Sequence, residues 1–233
     1  MFISVVIPTF NRRPILSKCL QALEEQQLDS FIDGYEVVVV DDGSTDGTPL
    51  WLTDRKKEFP HVRLLLQDHG GPAEARNLGV KEAYGDLIVF IDSDLVVTPS
   101  FLLNHAISLR KSWQIRKDRL CFTYGTVINT SNFDDPTSEK YKFQDLSWAY
   151  FATGNVAIDR KVLEKSGLFD TSFRLYGWED LELGERLRKL GVDIIKCPRA
   201  IGYHWHPPLS LDQIPQLIRV EKERAKMGLV FYR

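Results

Sequence analysis

Short apolar runs alternate with amphipathic segments through the first half of the chain. The runs cover residues 2–7, 35–40, 62–66 and 87–91. All four predict strands, and the run at 87–91, which is continuous and rich in β-branched and aromatic residues, is typical of a strand buried on both faces of a sheet. The segments between them predict helices from about residue 13, over about 48–57 and over 73–84. This alternation predicts a parallel sheet with helices packed on its faces.

The second half of the chain has a less regular pattern. It predicts helices over about 99–113, 160–166, 179–190 and 211–227, and strands over 120–129, 156–158 and 192–196. Residues 130–147 are polar and predict a long loop, which leads into an aromatic stretch at 148–151. No change of composition marks a linker, so we predict a single domain over residues 1–233, with halves at 1–98 and 99–233.

The composition of the 233 residues limits the classes of protein and partner. A formal net charge of −2 gives no basic field for nucleic acid and no polybasic patch for a membrane. Three cysteines without paired spacing fit buried thiols in a reducing compartment. No apolar run approaches the roughly 20 residues of a membrane span, and the first residues are strand-like, unlike a signal peptide. We therefore expect a cytoplasmic protein with no transmembrane segment and no nucleic-acid partner, although peripheral contact with a membrane stays compatible with this composition.

Polar residues follow three of the predicted strands at the point where each strand ends. These residues are the segments 8–11, 41–44 and 92–94. Right-handed crossovers place the carboxyl ends of parallel strands along one edge, which is where open α/β sheets bind ligands. Asp92 and Asp94 offer carboxylate oxygens, which suit Mg²⁺ or Mn²⁺, and these ions bridge phosphates. The pattern favours a metal–diphosphate site, and the alternative is an acidic turn with no ligand.

Two common nucleotide-binding motifs are absent from the sequence. No Gly-x-Gly-x-x-Gly follows the first predicted strand, and no Walker A sequence occurs. A dinucleotide fold and a P-loop are therefore not expected.

Six short motifs, in order along the chain, resemble the GT-A glycosyltransferases of family 2. The motifs are Pro8-Thr9-Phe10-Asn11, Val40-Asp41-Asp42-Gly43-Ser44-x-Asp46-Gly47, Gly71-Pro72-Ala73-x-x-Arg76-Asn77-x-Gly79, Asp92-Ser93-Asp94, Gly154-Asn155 and Trp178-Glu179-Asp180. Each alone also fits a turn, a strand-end aromatic, a solvated charge or a charge that complements a helix dipole. It is their joint order, over about residues 2–206, that favours the family. The resemblance implies an α/β fold of the GT-A, Rossmann-like type, a mostly parallel sheet with helices on both faces. Its nucleotide-binding half would be 1–98, and its acceptor-binding half, with a C-terminal helix, 99–233.

The resemblance also implies a reaction and a role for each matched residue. The reaction is a metal-dependent transfer of a sugar from a nucleoside diphosphate-sugar, with UDP favoured, to an acceptor hydroxyl with inversion. Saccharides or lipid-linked molecules are the implied acceptors, and Mn²⁺ or Mg²⁺ is the implied cofactor. The nucleotide-binding residues would be Pro8, Thr9, Phe10, Asp42, Arg76, Asp92 and Ser93, the acceptor-binding residues Gly154, Asn155, Trp178 and Glu179, the metal ligands Asp94 and His204, and the catalytic base Asp180.

Two late histidines compete for the place of the metal ligand. His204 and His206 flank Trp205 in an extended segment, and we expect their rings to point to opposite faces, so that only one meets the metal. Tyr203-His204 matches the family pattern better, so His204 is the predicted ligand, with a capping or core histidine as the simpler alternative.

Other functions stay open from the sequence alone. A retaining transferase on the same fold and a degenerate sugar-nucleotide-binding protein are two of them. A third is a haloacid-dehalogenase-like phosphatase that would use Asp92 as its nucleophile. The aromatic stretch 148–151 is predicted either to carry a sugar or to cover the sheet.

Overall fold

One sheet of eight strands runs through the computed structural model, which describes residues 1–116, 119–142, 145, 149–175, 177–208 and 210–232. The strands are β1 (Phe2–Thr9), β2 (Gly34–Asp41), β3 (Val62–Leu66), β4 (Leu87–Ile91), β5 (Leu95–Val97), β6 (Cys121–Thr130), β7 (Asn155–Asp159) and β8 (Asp193–Trp205). They lie in the order β3-β2-β1-β4-β7-β6-β8-β5. The first four strands pair in parallel, β7 runs antiparallel between β4 and β6, and β8 is parallel to β6 and antiparallel to β5. The predicted mostly parallel α/β sheet is therefore confirmed.

Helices cover both faces of this sheet. They are α1 (Arg13–Glu24), α2 (Thr48–Asp54), α3 (Pro72–Glu82), α4 (Phe101–Ile115), α5 (Arg160–Lys165), α6 (Glu179–Lys189) and α7 (Ile214–Phe231), and short 3₁₀ helices lie at Pro136–Ser138 and Leu211–Gln213. Side chains of α1, α2 and α4 share one apolar core, and those of α3, α5 and α6 share another. None of the helices in the described part of the chain is both long and apolar enough to cross a membrane.

Strand β1 shows why the apolar runs produce two cores. Val5 is fully buried in the core with α1 and α4, and Val6 is fully buried in the core with α3. Successive side chains of a strand point to opposite faces of the sheet. A run without polar alternation therefore requires helices on both sides.

Gly79 allows α3 to pack directly against β1 and β2. A Cβ atom at this position would lie 2.4 Å from a Val6 methyl carbon and 3.2 Å from one of Val40. The close contact fixes the first turns of α3, and with them Arg76, near the carboxyl ends of the strands.

The sequence pattern missed most of the last part of the sheet. Strand β8 continues to Trp205, well past the predicted 192–196, and β5 was not expected as a separate strand. The second half of β8 carries half-exposed and polar residues, so it has no apolar run. Its backbone is instead paired on both sides, with β6 after a register shift at Gly125/Thr126 and with β5.

Candidate active site

The turn between β4 and β5 places two carboxylates at the carboxyl edge of the sheet. Asp94 is 3% exposed, whereas the side chain of Asp92 is 34% exposed. Ser93 between them is buried. The pairing of β5 with β8 sets Leu95 opposite His204, so His204 reaches the turn through strand register.

Asp92, Asp94 and His204 form a candidate metal centre. One possible ligand atom from each lies within 4.8 Å of the others, and His204 Nε2 is 3.0 Å from Asp94 Oδ1. Two carboxylates and an imidazole fit a divalent ion such as Mn²⁺, because carboxylates suit Mg²⁺ and Mn²⁺ and imidazole suits transition metals. The trio thus holds a donor set of the expected chemistry.

Charges within the centre stabilise its ionised forms. Burial opposes ionisation of Asp94, but the hydrogen bond and charge of His204, with the charge of Arg12, hold the pKa of Asp94 below its usual range. Burial likewise opposes protonation of His204, yet its hydrogen bond to Asp94 and the Asp94 charge raise its pKa.

The expected opposite orientation of the two late histidines is wrong. The rings of His204 and His206 lie 4.2 Å apart between centroids, on the same side of the chain. Residues two apart in extended backbone share a face. His206 Nε2 is 3.2 Å from Asn129 Oδ1, and only His204 of the two belongs to the candidate metal centre. The role of His204 as ligand stays a prediction, now supported by its position.

Arg76 links Asp92 of the candidate metal centre to Glu179. It is 5% exposed, and it donates from Nη2 to Asp92 Oδ1 at 3.1 Å and from Nη1 to Glu179 Oε1 at 2.8 Å. Glu179 is equally buried, and its Oε2 has no hydrogen-bond partner among the described residues. A buried, unpaired carboxylate oxygen is costly unless something satisfies it.

Asp180 lies in the first turn of α6, directly after Glu179 of this ion pair. Burial and the charge of Glu179, opposed by Arg76 and the Leu181 N–H, together raise the pKa of Asp180 to about 7. A carboxylate that titrates near neutral pH is well suited to accept and release protons.

Trp178 anchors the start of α6 to α7. Its φ angle is 76°, and its indole Nε1 donates to the Arg224 carbonyl at 2.9 Å. The ring centroid lies 5.1 Å from that of Phe231. The predicted acceptor contact of Trp178 stays a prediction, and the structure gives this residue an anchoring role in addition.

The strand end of β1 presents an aromatic surface. Phe10 is 43% exposed, and its ring stacks on His69 with centroids 4.4 Å apart. Pro8 is half-buried in β1, and Thr9 is buried with an Oγ1 that has no partner among the described residues.

Asp42 organises the loop that follows β3. Its Oδ1 accepts from Gly70 N at 2.8 Å and from Gln67 Nε2 at 2.7 Å, and its Oδ2 accepts from Gly71 N at 3.0 Å. His69 Nδ1 lies 2.9 Å from Oδ2. Both oxygens of Asp42 therefore already have protein partners, so a nucleobase would have to share or replace one of them.

Gly154 and Asn155 are adjacent in the chain but have different surroundings. A Cβ at Gly154 would be 3.3 Å from Asp92 Oδ2, which places this glycine against the metal centre. Asn155 is 1% exposed, with Oδ1 2.9 Å from His105 Nε2 and Nδ2 donating to the Thr126 and Ala200 carbonyls at 3.0 Å. Its acceptor contact stays a prediction, beside a clear structural role between strands.

The aromatic stretch 148–151 lies only partly in the described residues. Trp148 falls outside them. Phe151 is fully buried and packs edge-on against Phe90 and Phe122, as expected for a residue that covers the sheet.

Three site residues escaped the sequence analysis. Gln67 and His69 follow β3, and the edge rule that selected the other strand ends would have found them. Arg12 contacts Asp94, and no signal in the sequence separates it from its neighbour Arg13.

Comparison with known proteins identifies related sequences over nearly the whole chain. Residues 4–167 match the family described as "Glycosyl transferase family 2", and residues 136–208 match "N-terminal domain of galactosyltransferase". The chain is 35% identical to glycosyltransferase AglE of Haloferax volcanii, over 98% of this chain and 75% of that protein. It spans 67% of the length of a Bacillus subtilis relative but only 25% of each of two Pasteurella multocida relatives. The family match includes Asp92 and so favours a transferase over the phosphatase alternative.

Two solved structures share the fold. TarS 1–349 of S. aureus in complex with UDP-GlcNAc has a TM-score of 0.67 at 19% identity, over 90% of this chain and 60% of that chain. The mannosyltransferase PcManGT from Pyrobaculum calidifontis, in complex with GDP-Man and Mn²⁺, has a TM-score of 0.62 at 24% identity, over 86% of this chain and 55% of that chain. These likenesses confirm the predicted fold class.

Proposed function

The chain belongs to glycosyl transferase family 2 and so to the glycosyltransferases, and from that membership we propose the reaction and its residues. It transfers a sugar from a nucleoside diphosphate-sugar to an acceptor hydroxyl, with a divalent ion and with inversion. One observation carries the proposal: a single buried arginine, Arg76, pairs both with Asp92 of the candidate metal centre and with Glu179, the neighbour of Asp180.

On the donor side, Asp92, Asp94 and His204 would hold Mn²⁺ or Mg²⁺. The bound ion supplies Lewis-acid stabilisation of the leaving diphosphate. Arg76 orients Asp92 through its hydrogen bond and keeps a positive charge beside it. Asp92, which is partly exposed, would contact the donor, and the buried Asp94 would hold the ion.

The nucleoside would lie against Phe10, next to the loop that Asp42 organises. We propose uridine as the base, with Pro8 and Thr9 forming the strand end beneath it. TarS is described in complex with UDP-GlcNAc and PcManGT with GDP-Man, so the fold accommodates both bases in different proteins. The preference for UDP rests on the resemblance of the β1 and β2 motifs.

On the acceptor side, Asp180 would take the proton of the attacking hydroxyl. In an inverting transfer, that hydroxyl attacks the anomeric carbon from the face opposite the diphosphate. A base with a pKa near the working pH is the most efficient proton acceptor, and the value of about 7 for Asp180 meets this condition. Gly154, Asn155, Trp178 and Glu179 would surround the acceptor.

The acceptor itself is proposed to be a saccharide or a lipid-linked molecule. Several large apolar side chains of the C-terminal helix and of the 3₁₀ turn before it are exposed. They suit peripheral contact with a membrane from the cytoplasm, which supports a lipid-linked acceptor. No nucleic acid is expected as a partner.

Calorimetric titration of UDP, in Mn²⁺ and in EDTA, tests the donor site. UDP should bind more tightly with Mn²⁺, and Asp94→Asn should remove that difference because it removes a charged ligand at constant size. Asp54→Asn, an exposed carboxylate at the end of α2, is the matched control and should behave like the wild type.

Equal UDP affinity in Mn²⁺ and EDTA would refute the metal assignment. A screen of UDP-sugars and GDP-sugars for hydrolysis then identifies the donor. Turnover of p-nitrophenyl phosphate that depends on Asp92 would revive the phosphatase.

A further inference from the structure

Arg12 reaches from the surface to the buried carboxylate of the candidate metal centre. It lies between β1 and α1, and its side chain is 49% exposed, while that of Asp94 is 5% exposed. Its Nη1 donates to Asp94 Oδ2, and His204 Nε2 contacts the other oxygen, Oδ1, at 3.0 Å. Both oxygens of Asp94 therefore face a protein group that is or can become positively charged.

The Arg12 guanidinium in this position disfavours the binding of a divalent ion to Asp94. The ion and the Arg12 guanidinium would share one carboxylate at hydrogen-bond and coordination distances, where like charges repel strongly because the site is largely removed from water. His204 can change from proton donor to metal ligand by losing its proton. Arg12 has no such option, because a guanidinium stays protonated. It must therefore move.

Arg12 is free to move, and Arg76 is not. Asp94 is the only carboxylate with which Arg12 forms an ion pair among the described residues, and about half of the Arg12 side chain is exposed to solvent. Arg76 is buried and fixed between Asp92 and Glu179. The displaced guanidinium needs a new anion at the same edge of the sheet, and a diphosphate matches its planar fork.

We propose that Arg12 is the counter-ion of Asp94 in the absence of metal, that it competes with the divalent ion, and that it transfers to the donor diphosphate once the ion binds. The ion and the donor then bind cooperatively. The ion displaces Arg12 from Asp94, and the diphosphate gives the displaced guanidinium a new anionic partner. This inference rests on the proposed metal site and adds to it an order of events. The site selects the ion and the diphosphate together and disfavours the ion alone.

The test compares Arg12→Gln with the wild type in two titrations. The first follows MnCl₂ alone by electron paramagnetic resonance, and the second follows UDP by calorimetry with and without saturating Mn²⁺. In Arg12→Gln, Mn²⁺ alone should bind more tightly, by about 5-fold or more, and the gain in UDP affinity due to Mn²⁺ should shrink by a similar factor, within the usual range of coupling between sites. Binding of Mn²⁺ that is unchanged or weaker in Arg12→Gln overturns the proposal.

Two further variants separate charge from geometry. Arg12→Lys keeps the charge without the fork, so it should compete with Mn²⁺ nearly as the wild type does but lose part of the UDP coupling. If Arg12→Gln does not fold, Arg12→Lys serves in its place, with the loss of UDP coupling as the readout. Arg13→Gln is the control, because Arg13 is adjacent and exposed and forms its backbone hydrogen bond with Asp46. It should leave Mn²⁺ affinity unchanged, and an equal effect in Arg13→Gln would overturn the specific role of Arg12.

The two proposals fail in different ways. If wild-type protein binds no Mn²⁺ in either titration, the metal site itself is refuted and the role of Arg12 with it. If the wild type binds Mn²⁺ and Arg12→Gln is identical in both titrations, only the role of Arg12 is refuted.

Discussion

Asp180 and Glu179 are adjacent carboxylates with different surroundings. Glu179 is ion-paired with Arg76, while Asp180 accepts only a backbone N–H, from Leu181 at 2.8 Å, among its hydrogen bonds to described residues. Burial, as the largest cause, raises the pKa of Asp180 towards neutral pH, where a carboxylate can accept and release protons. The structure thus favours Asp180 as the group that exchanges protons and Glu179 as the group that holds Arg76.

Asp180→Asn should retain affinity for UDP and Mn²⁺ and lose transfer. General-base catalysis contributes about 10²–10⁴-fold in rate, so turnover should fall by roughly a hundredfold or more. Steady-state rates and UDP calorimetry measure the two effects, and proton NMR of the product gives its anomeric configuration. Near-normal turnover, or retention of configuration, would remove Asp180 from the role of base.

Glu179→Gln should shift the pH dependence of transfer. The rate requires unprotonated Asp180, so it should decline as the pH falls through about 7. The charge of Glu179 raises the pKa of Asp180 and that of Arg76 lowers it. Removing the Glu179 charge, which also frees Arg76, therefore moves the acidic limb to lower pH. A pH profile of kcat checks this, and an unchanged profile would contradict the effect of Glu179 on Asp180. A higher KM for the acceptor should accompany the shift, because Glu179 is also proposed to contact the acceptor.

Substitutions of Phe10 and Asp42 should weaken nucleoside binding in different ways. Phe10→Leu removes an exposed ring and its stacking on His69, but none of the hydrogen bonds by which Asp42 holds the loop. Base–aromatic stacking is worth about 1–3 kcal/mol. UDP should therefore bind about tenfold more weakly, while pyrophosphate binds as before. Asp42→Ala should also weaken UDP more than pyrophosphate, but it should lower the melting temperature as well, because Asp42 accepts hydrogen bonds from Gly70 and Gly71.

Calorimetry with both ligands and a thermal melt distinguish these cases. An equal loss for UDP and pyrophosphate in either variant would show that the residue does not read the base.

At the scale of elements, the sequence predicted those strands whose position depends on the local pattern of apolar residues. The run at 87–91 coincides with β4, in which every residue is buried, because a doubly buried strand needs an uninterrupted apolar run. The run at 62–66 coincides with β3, an edge strand that is only half-buried. Strand β5 pairs with the second half of β8, which pairs with β6 on its other side, so both are fixed by long-range pairing and neither has a sequence pattern of its own. His204 was found through family resemblance, and its contact with Asp94 follows from a register that no local rule supplies.

The same limit applies to the contacts of the site residues. Asp92, Asp94 and Asp42 follow strand ends and were predicted from that position. The link from Arg76 to Glu179 joins residues 103 apart in the chain. Long-range side-chain pairs of this kind depend on how α3 and α6 pack on the sheet, which composition and periodicity do not specify.

The packing of α4 on the sheet should make stability depend on pH through His105. This histidine is fully buried, with Nδ1 2.8 Å from Thr123 Oγ1 and Nε2 2.9 Å from Asn155 Oδ1. Burial lowers its pKa to about 4, against an opposing effect of the Asn155 hydrogen bond. The unfolded chain takes up a proton near pH 6.5, and the folded chain only near 4.

The free energy of unfolding should therefore decrease as the pH falls from 6.5 towards 4, and the His105 contribution should be complete above 6.5. Each unit of pKa difference corresponds to about 1.4 kcal/mol, which gives a loss on the order of 3 kcal/mol. Urea unfolding across this range measures it. His105→Gln should flatten the slope, and His69→Gln, at a side chain that is 61% exposed, should not. Parallel slopes for the wild type and His105→Gln would contradict the assignment.

At the scale of the whole molecule, the sheet brings both halves of the chain to one edge. Strand β7 pairs with β4, and β8 pairs with β5, so Gly154 and His204 reach the turn at Asp92 and Asp94 from the second half. Arg76 and Glu179 make a further link between the halves. The residues proposed to bind the donor and the acceptor are therefore held by one continuous framework, which favours their joint positioning over two independent sites.

The C-terminal helix has two unlike faces. Its inner face holds Trp178 through the Arg224 carbonyl, with Met227 and Gly228 buried. On the outer face and the 3₁₀ turn before it, large apolar side chains recur at helical spacing and are exposed: Leu211 at 85%, Ile214 at 45%, Ile218 at 51%, Leu229 at 69% and Tyr232 at 81%. Lys222 and Lys226 border this apolar stripe. Apolar residues flanked by lysines are typical of helices that lie in the interface of an anionic membrane.

If the acceptor is lipid-linked, this stripe should bind vesicles. We expect the protein to co-sediment with vesicles that contain phosphatidylglycerol and much less with pure phosphatidylcholine, since lysines near an anionic surface add to apolar burial. Replacing Ile218 and Leu229 together by Gln should weaken binding by at least about tenfold, because fully burying one such side chain is worth about 1.5–3 kcal/mol. Leu50→Gln, at an equally exposed leucine of α2, is the control and should bind as the wild type does. Equal sedimentation of the double variant and the wild type would refute the stripe as a membrane contact, and a concentration-dependent dimer that the double variant abolishes would assign it to a second copy of the chain instead.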